Sequence, residues 1–170
     1  MISIEMGELL ARGGMLGSCT ADGGPDEIVW SSYNPALDPA GAERLATALA
    51  AEIGGVELDV VLVWEDAEEL VLAHILAREF GVAVVRAYDF DGLVRYVGSF
   101  PEHPRVVLLA DSFQDASTLR ALNSLVAQQD GVVVATAALV PTPLLAGDPT
   151  ARTLAESAPV GEAAADGIAP

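Results

Sequence analysis

The sequence predicts a single α/β domain: a parallel sheet with helices on both of its faces. Three observations carry that reading. Between Leu58 and Ala138 short apolar runs alternate with longer helical patterns, the signature of right-handed βαβ units. The runs are near-continuous Val and Leu, not apolar residues alternating with polar ones, as expected of strands covered on both faces. The length of 170 residues suits one domain with a real core, since a chain of this size buries roughly 70% of the surface it exposes when unfolded.

The elements follow in order. Glu5 to Leu16 has the apolar spacing of a short amphipathic helix, which Gly13 and Gly14 should end. A turn-rich linker, TADGGPDE, leads to a short strand at Ile28 to Trp30 and a turn at Tyr33-Asn34-Pro35. Asp38 followed by Pro39 opens a strong helix, because an Asp N-cap accepts orphan amide hydrogens and Pro pre-sets the first turn. That helix should run to Gly54-Gly55. Then come a strand at Leu58 to Trp64, a helix at Ala67 to Phe80 closed by Gly81, and a strand at Val82 to Arg86. An acidic hairpin candidate, YDFDGLVRYVGSF, precedes a strand at Val106 to Leu109, a helix at Asp115 to Gln128 and a strand at Gly131 to Ala138. Pro141 and Pro143 should end the regular core, and the Pro- and Ala-rich residues 141–170 read as an extended or disordered tail.

Composition narrows the function. There are 25 acidic residues against 8 basic ones, every one of the latter an arginine, giving a net charge of −17. Without lysine there is no Schiff-base chemistry and no lysine phosphate clamp. An excess of acid this large disfavours nucleic acid and anionic membrane surfaces as partners. Mean hydropathy is positive at +0.42. No apolar stretch approaches the roughly 20 residues of a membrane span, however, and MISIEMGELL lacks the basic and apolar regions of a secretory signal. A soluble, cytoplasmic protein is expected. The single cysteine, Cys19, excludes an intrachain disulfide and reads as a buried or incidental thiol.

An open doubly wound sheet binds its ligands beyond the carboxyl ends of its strands. That directs attention to the loops after Trp64, Arg86 and Leu109. The last of these, VVLLADSFQDASTLRAL, runs from four apolar strand residues through ADSFQDAST into a helix. It resembles the ribose-phosphate signature of type I phosphoribosyltransferases, in which a strand is followed by two acids, two variable residues and a Thr-Thr-Gly-Gly-Thr phosphate loop. The resemblance extends over much of the chain upstream, in the order found in orotate-type members. It implies a Rossmann-like core with a small N-terminal hood: a single domain over residues 1–140, with residues 1–37 as hood and N-terminal segment and 38–140 as helix and α/β core.

Laid over the motif, Ala110 stands for the first acid and Asp111 keeps the second. Gln114 and Asp115 replace the two threonines, Ala116 and Ser117 replace the glycines, and Thr118 is retained. The resemblance therefore implies a ribose contact and a catalytic role for Asp111 if the protein is active, with Ser112, Gln114, Asp115, Ser117, Thr118 and Arg86 as ligand-binding candidates. Magnesium is implied only if phosphoribosyl pyrophosphate is bound. Ala and Ser resist the positive φ that glycines allow around a phosphate. A carboxylate about 5 Å from a phosphate costs about 3 kcal/mol per charge pair at an effective dielectric near 20. Asp115 is thus either a poor phosphate neighbour or simply the N-cap of the following helix.

The other two loops depart in the same direction. After the first core strand, where such members carry a Gly-rich pyrophosphate loop, the sequence reads WEDAEEL, with Glu65, Asp66, Glu68 and Glu69. These acids could attract a divalent cation, but no established metal loop has their spacing, and acids favour a first helical turn in any case. No metal site is assigned. Arg86 matches the first residue of an Arg-Lys pair, Ala87 stands for the lysine, and the next loop offers Asp89 and Asp91 with only Arg95 as a base. An ion pair with an acidic neighbour competes with anion binding for Arg86. His74 reads as a half-buried packing residue grouped with Leu70, Ala73 and Ala77. His103 lacks the partners of a triad. Trp30 and Trp64 read as packing residues in preference to base-stacking ones.

The expectation is a divergent phosphoribosyltransferase-like protein, non-catalytic, acting as a partner subunit, scaffold or ligand sensor. It would form a homodimer or pair with a related protein, take a small-molecule ligand at most, and bind neither nucleic acid nor membrane. The alternative is an active phosphoribosyltransferase or nucleotide-processing enzyme with altered ligand chemistry. In it Asp111 would stabilise a ribosyl cation, and Ser112, Ser117 and Thr118 would donate hydroxyls.

Overall fold

A computed structural model describes residues 4–19 and 28–154. The linker TADGGPDE, the end of the tail beyond residue 154 and the thiol of Cys19 lie outside the described structure.

Helix α1 (Ile4–Arg12) and a two-stranded antiparallel pair, β1 (Gly17–Cys19) with β2 (Ile28–Trp30), form a small N-terminal unit. Helix α2 (Pro39–Ile53) begins as the sequence requires, with the Asp38 side chain accepting from the Gly41 amide. The core then alternates through β3 (Val60–Trp64), α3 (Ala67–Phe80), β4 (Ala83–Phe90), β5 (Leu93–Val97), β6 (Arg105–Ala110), α4 (Ala116–Gln128) and β7 (Val132–Ala138). Gly81 ends α3 with φ 68°, a left-handed cap that glycine adopts without Cβ strain. The hairpin candidate is an antiparallel pair, β4 with β5, turning at Asp91-Gly92.

The sequence reading closes the core near Pro141, whereas the structure carries the sheet further. Pro143–Leu145 forms a short 3-10 turn, and β8 (Ala151–Thr153) pairs parallel to β7. The six-stranded sheet has the order β5-β4-β3-β6-β7-β8, parallel except for β5.

The uninterrupted Val and Leu runs now have a physical account. Val61, Val63, Val107 and Leu109 point into a core shared with α1, α2 and α3. Their neighbours Val60, Leu62, Val106 and Leu108 point the other way, against α4 residues Leu122, Leu125 and Val126. Side chains alternate across a strand, so only a sheet covered on both faces tolerates apolar residues at every position. β3 has β4 on one side and β6 on the other, so the order of connection reverses between β3 and β6. A crevice opens at such a switch point, beyond the carboxyl ends of the two strands.

Candidate functional site

A cleft of about 240 Å³ lies at that switch point. β3 and α3 contribute Trp64, Asp66 and Glu69, and the β6–α4 connection contributes Ala110 to Asp115 with Thr118. Ser32, from the segment after β2, completes one wall. Five of the seven residues singled out from the sequence meet here: Asp111, Ser112, Gln114, Asp115 and Thr118. Ser117 and Arg86 do not line it. Ser117 gives both its amide and its hydroxyl to Asp115, and Arg86 lies 3.7 Å from Glu65, the acidic-neighbour alternative for that arginine.

Asp115 is the N-cap of α4. Its carboxylate accepts from the amides of Ser117 (2.8 Å) and Thr118 (3.2 Å) and from both of their hydroxyls, at 2.6 and 2.8 Å. These bonds, the Ser117 contacts foremost, hold the acid well below the usual carboxylate range. The helix N-terminus that could have met an anion is filled by the chain's own negative charge. Asp66 repeats the arrangement at α3, accepting from the amides of Glu68 (3.0 Å) and Glu69 (3.2 Å).

Asp111 is 5% exposed. Its Oδ2 accepts from the Tyr33 amide at 2.7 Å and its Oδ1 from the Ser112 hydroxyl at 3.1 Å. Its own amide donates to Glu69 Oε1 at 3.2 Å, and its carbonyl accepts from the Leu139 amide. Burial pushes the Asp111 carboxyl up despite these bonds. Glu69 goes further, to about 8, first through burial and then through the Asp111 charge.

The acids of WEDAEEL do stand at a helix start, but not all of them face solvent. Glu65 and Asp66 are exposed, but Glu69 turns inward beside Asp111. Four acids within five residues around a helix start look alike in sequence; the helical twist decides which of them turns inward. His74 is a correction. It is exposed, because the buried face of α3 runs through Leu72, Ala73, Leu76 and Ala77 and leaves His74 on the outer stripe with Val71 and Arg78. His103 is exposed too, with φ 49°. Trp30 packs partly buried against one core and Trp64 against the other, and the Trp64 side also borders the cleft.

Two participants were not legible as site residues. Tyr33 is fully buried, its ring lying so close to Gly13 that a Cβ there would fall 1.9 Å from the ring. Trp30 offers its backbone to Gln114: its amide donates to Gln114 Oε1 at 3.2 Å and its carbonyl accepts from Nε2 at 2.7 Å. These partners are 84 residues apart, and no local pattern announces the contact. Among the described residues no three His, Cys, Asp or Glu side chains converge as metal ligands, and no helix is long and apolar enough to cross a membrane.

The sheet order, the N-terminal unit and the cleft after β3 and β6 together define the type I phosphoribosyltransferase fold. Solved structures sharing it include the adenine phosphoribosyltransferase of Rhodothermus marinus, with a TM-score of 0.67 and 16% identity over 89% of this chain and 98% of that one. The Saccharomyces cerevisiae adenine phosphoribosyltransferase gives 0.66 and 15%, over 89% and 98% of the two chains. The UMP synthase of Leishmania donovani gives 0.67 and 16%, covering 91% of this chain and 36% of that one. No family model matches the sequence, and no curated protein does. At these identities the likeness concerns the fold.

Proposed function

We propose that this chain is a divergent, non-catalytic relative of the type I phosphoribosyltransferases, acting in the cytoplasm as a partner subunit, scaffold or ligand sensor within nucleotide metabolism. One observation carries the reading: both helices that point their N-termini at the cleft are capped by their own aspartates, Asp66 and Asp115. A polyphosphate entering there meets carboxylates where it needs amides.

Magnesium phosphoribosyl pyrophosphate does not fit the residues present. The cleft is bordered by Asp66, Glu69, Asp111 and Asp115 and by no arginine. Each ionised carboxylate about 5 Å from a phosphate oxygen, the capping Asp115 foremost, opposes binding by about 3 kcal/mol at an effective dielectric near 20. Ala110 supplies no second acid for the ribose, and the one acid that remains is engaged by Tyr33 and Ser112.

A role as partner draws on a second feature. An apolar groove of about 430 Å³ runs between the turn at Asn34 to Ala36 and the outer face of α3, lined by Pro35, Pro39, Val71 and Ile75 among others. Exposed Leu37 lies in the same turn. A second copy or a related chain is the expected partner. Light scattering of the purified protein, alone and with a co-encoded transferase, tests this; a monomer that binds neither contradicts it.

The alternative, an active transferase with altered ligand chemistry, draws on the place of Asp111, Ser112 and Thr118 in the cleft at the end of β6. Incubation with phosphoribosyl pyrophosphate, magnesium and each common nucleobase separates the two readings. The non-catalytic one expects no pyrophosphate release above background, and turnover abolished by Asp111→Asn would establish the other.

A further inference from the structure

The two edges of the sheet are unlike. β8 is three residues long and half-buried, the short kind of edge that resists further pairing. β5 is hydrogen-bonded to β4 alone, and every residue of it is exposed. Its composition is nonetheless that of a buried strand: Leu93, Val94, Tyr96 and Val97 around one arginine, with exposed Phe90 beside Leu93 across the hairpin. No Pro, Lys or acid interrupts it, so it lacks the residues that normally keep an exposed edge from pairing.

The turn before β5 fixes which of its backbone groups are free. Asp91 and Gly92 have φ of 58° and 75°, a two-residue connection whose flanking residues, Phe90 and Leu93, exchange both ladder bonds. Bonding alternates along the strand, so Leu93, Arg95 and Val97 turn their amides and carbonyls to β4. Those of Val94 and Tyr96 point away from it. Leu93 and Val97 share a face of the sheet with Phe90; Val94 and Tyr96 lie on the other, where Tyr96 meets Phe100 edge-to-face at 5.2 Å.

Charge selects the occupant. In a chain of net charge −17, residues 93–101 carry no acid, and Arg95 is the one charge on the strand. Asp91, in the turn at its start, has the opposite sign. A second β5 laid antiparallel therefore brings each arginine toward the other copy's aspartate. Complete overlap would set Arg95 opposite Arg95, where like charges destabilise. A slip of two residues centres the pair on Val94 instead. Arg95 then lies across from the copy's Leu93 and diagonal to its Asp91, and the two Val94 residues exchange backbone bonds across a two-fold axis.

We infer that β5 is a self-association edge: two copies of this chain pair antiparallel through Val94, joining their sheets into one. The edge shares no residue with the groove beside α3, and the inference holds whether or not the chain is catalytic. A contact this short is smaller than a standard interface, so the dimer should be weak and concentration-dependent. The negative charge of each copy opposes pairing and is screened by salt, so association should tighten as salt rises.

Sedimentation velocity of the full chain, from micromolar to submillimolar concentration at low and high salt, tests this. The wild type is expected to self-associate, more strongly at high salt. Val94→Pro removes the outward amide without touching a bond to β4, and should weaken association roughly tenfold or more, since two bonds are lost by symmetry. Should that variant fail to fold, Val94→Lys places like charges across the axis and should act in the same direction. A Cys19→Ser, Val94→Cys chain reads the register: residues exchanging bonds across an antiparallel pair have Cα atoms about 5.5 Å apart, within disulfide reach. Oxidation should link it as a dimer, and should not link Cys19→Ser, Val132→Cys, which puts an exposed thiol on β7.

A wild type that stays monomeric throughout overturns the inference, as does association that Val94→Pro and Val94→Lys leave unchanged. Association lost in Val71→Asp but kept in Val94→Pro would place the contact in the groove beside α3, overturning this edge while sparing the partner role. Binding through Val94 to a foreign chain alone would also overturn self-pairing.

Discussion

The N-termini of α3 and α4 face the same cleft and open on the same device, an aspartate cap accepting two backbone amides, yet their electrostatic outcomes are opposite. Around Asp115 two hydroxyls add to the two amides, and the carboxylate is held strongly ionised. In the first turn of α3 there are further acids and no hydroxyl, and burial, then the Asp111 charge, raises the Glu69 carboxyl to about 8. One helix start is a satisfied anion; the other holds a proton near neutral pH. The lesson is that a capping residue read from sequence says where a helix begins, whereas the state of the charge depends on what the next turn brings in.

The largest effect expected from breaking this contrast comes from Glu69. Its carboxyl stays protonated in the fold up to about pH 8, against an ordinary value of 4.5 in the unfolded chain. The folded state therefore binds more protons throughout that window, and its stability falls as pH rises from 4.5 towards 8. Glu69→Gln keeps an acceptor for the Asp111 amide and removes the titration. Urea denaturation across this range should show a flattened profile and a gain of about 3 kcal/mol at pH 8, below the full linkage value because the group keeps some solvent contact.

Next in size is Asp115→Ala, which leaves two amides and two hydroxyls without their acceptor. Calorimetric unfolding should show a fall in Tm of about 3–6 °C. Asp66→Ala removes the two amide bonds alone, and its Tm should fall by about 2–4 °C. Equal losses for the two caps would show that the Ser117 and Thr118 hydroxyls add nothing. The smallest effect belongs to Arg86→Gln. Its ion pair with Glu65 is long and its side chains are 36% and 45% exposed, so urea unfolding should change by less than about 0.5 kcal/mol. A larger loss would give Arg86 a structural role that this pairing does not explain.

The frame was legible in the sequence for a definite reason. Strands buried on both faces need apolar residues at every position, so Val60–Trp64 and Arg105–Ala110 announce themselves, and Asp38-Pro39, Asp115 and Gly81 mark helix ends by chemistry that acts within a few residues. β8 was not legible. Three residues, Ala151–Thr153, in a Pro- and Ala-rich stretch have no periodicity of their own, and only the free edge of β7 makes them a strand.

The site divides in the same way. Loop residues 111–118 could be placed from the strand before them and the helix after them. The inward turn of Glu69 and the grip of Gln114 on Trp30 arise from packing between distant segments, which spacing does not encode.

The central claim is that the cleft cannot hold a polyphosphate because its two helix N-termini already carry the chain's own carboxylates. Isothermal titration with phosphoribosyl pyrophosphate and magnesium tests this most directly. The expected result is no saturable heat at millimolar ligand, for the wild type and for Asp111→Asn alike. Saturable binding in the micromolar range, lost in Asp111→Asn, would contradict it.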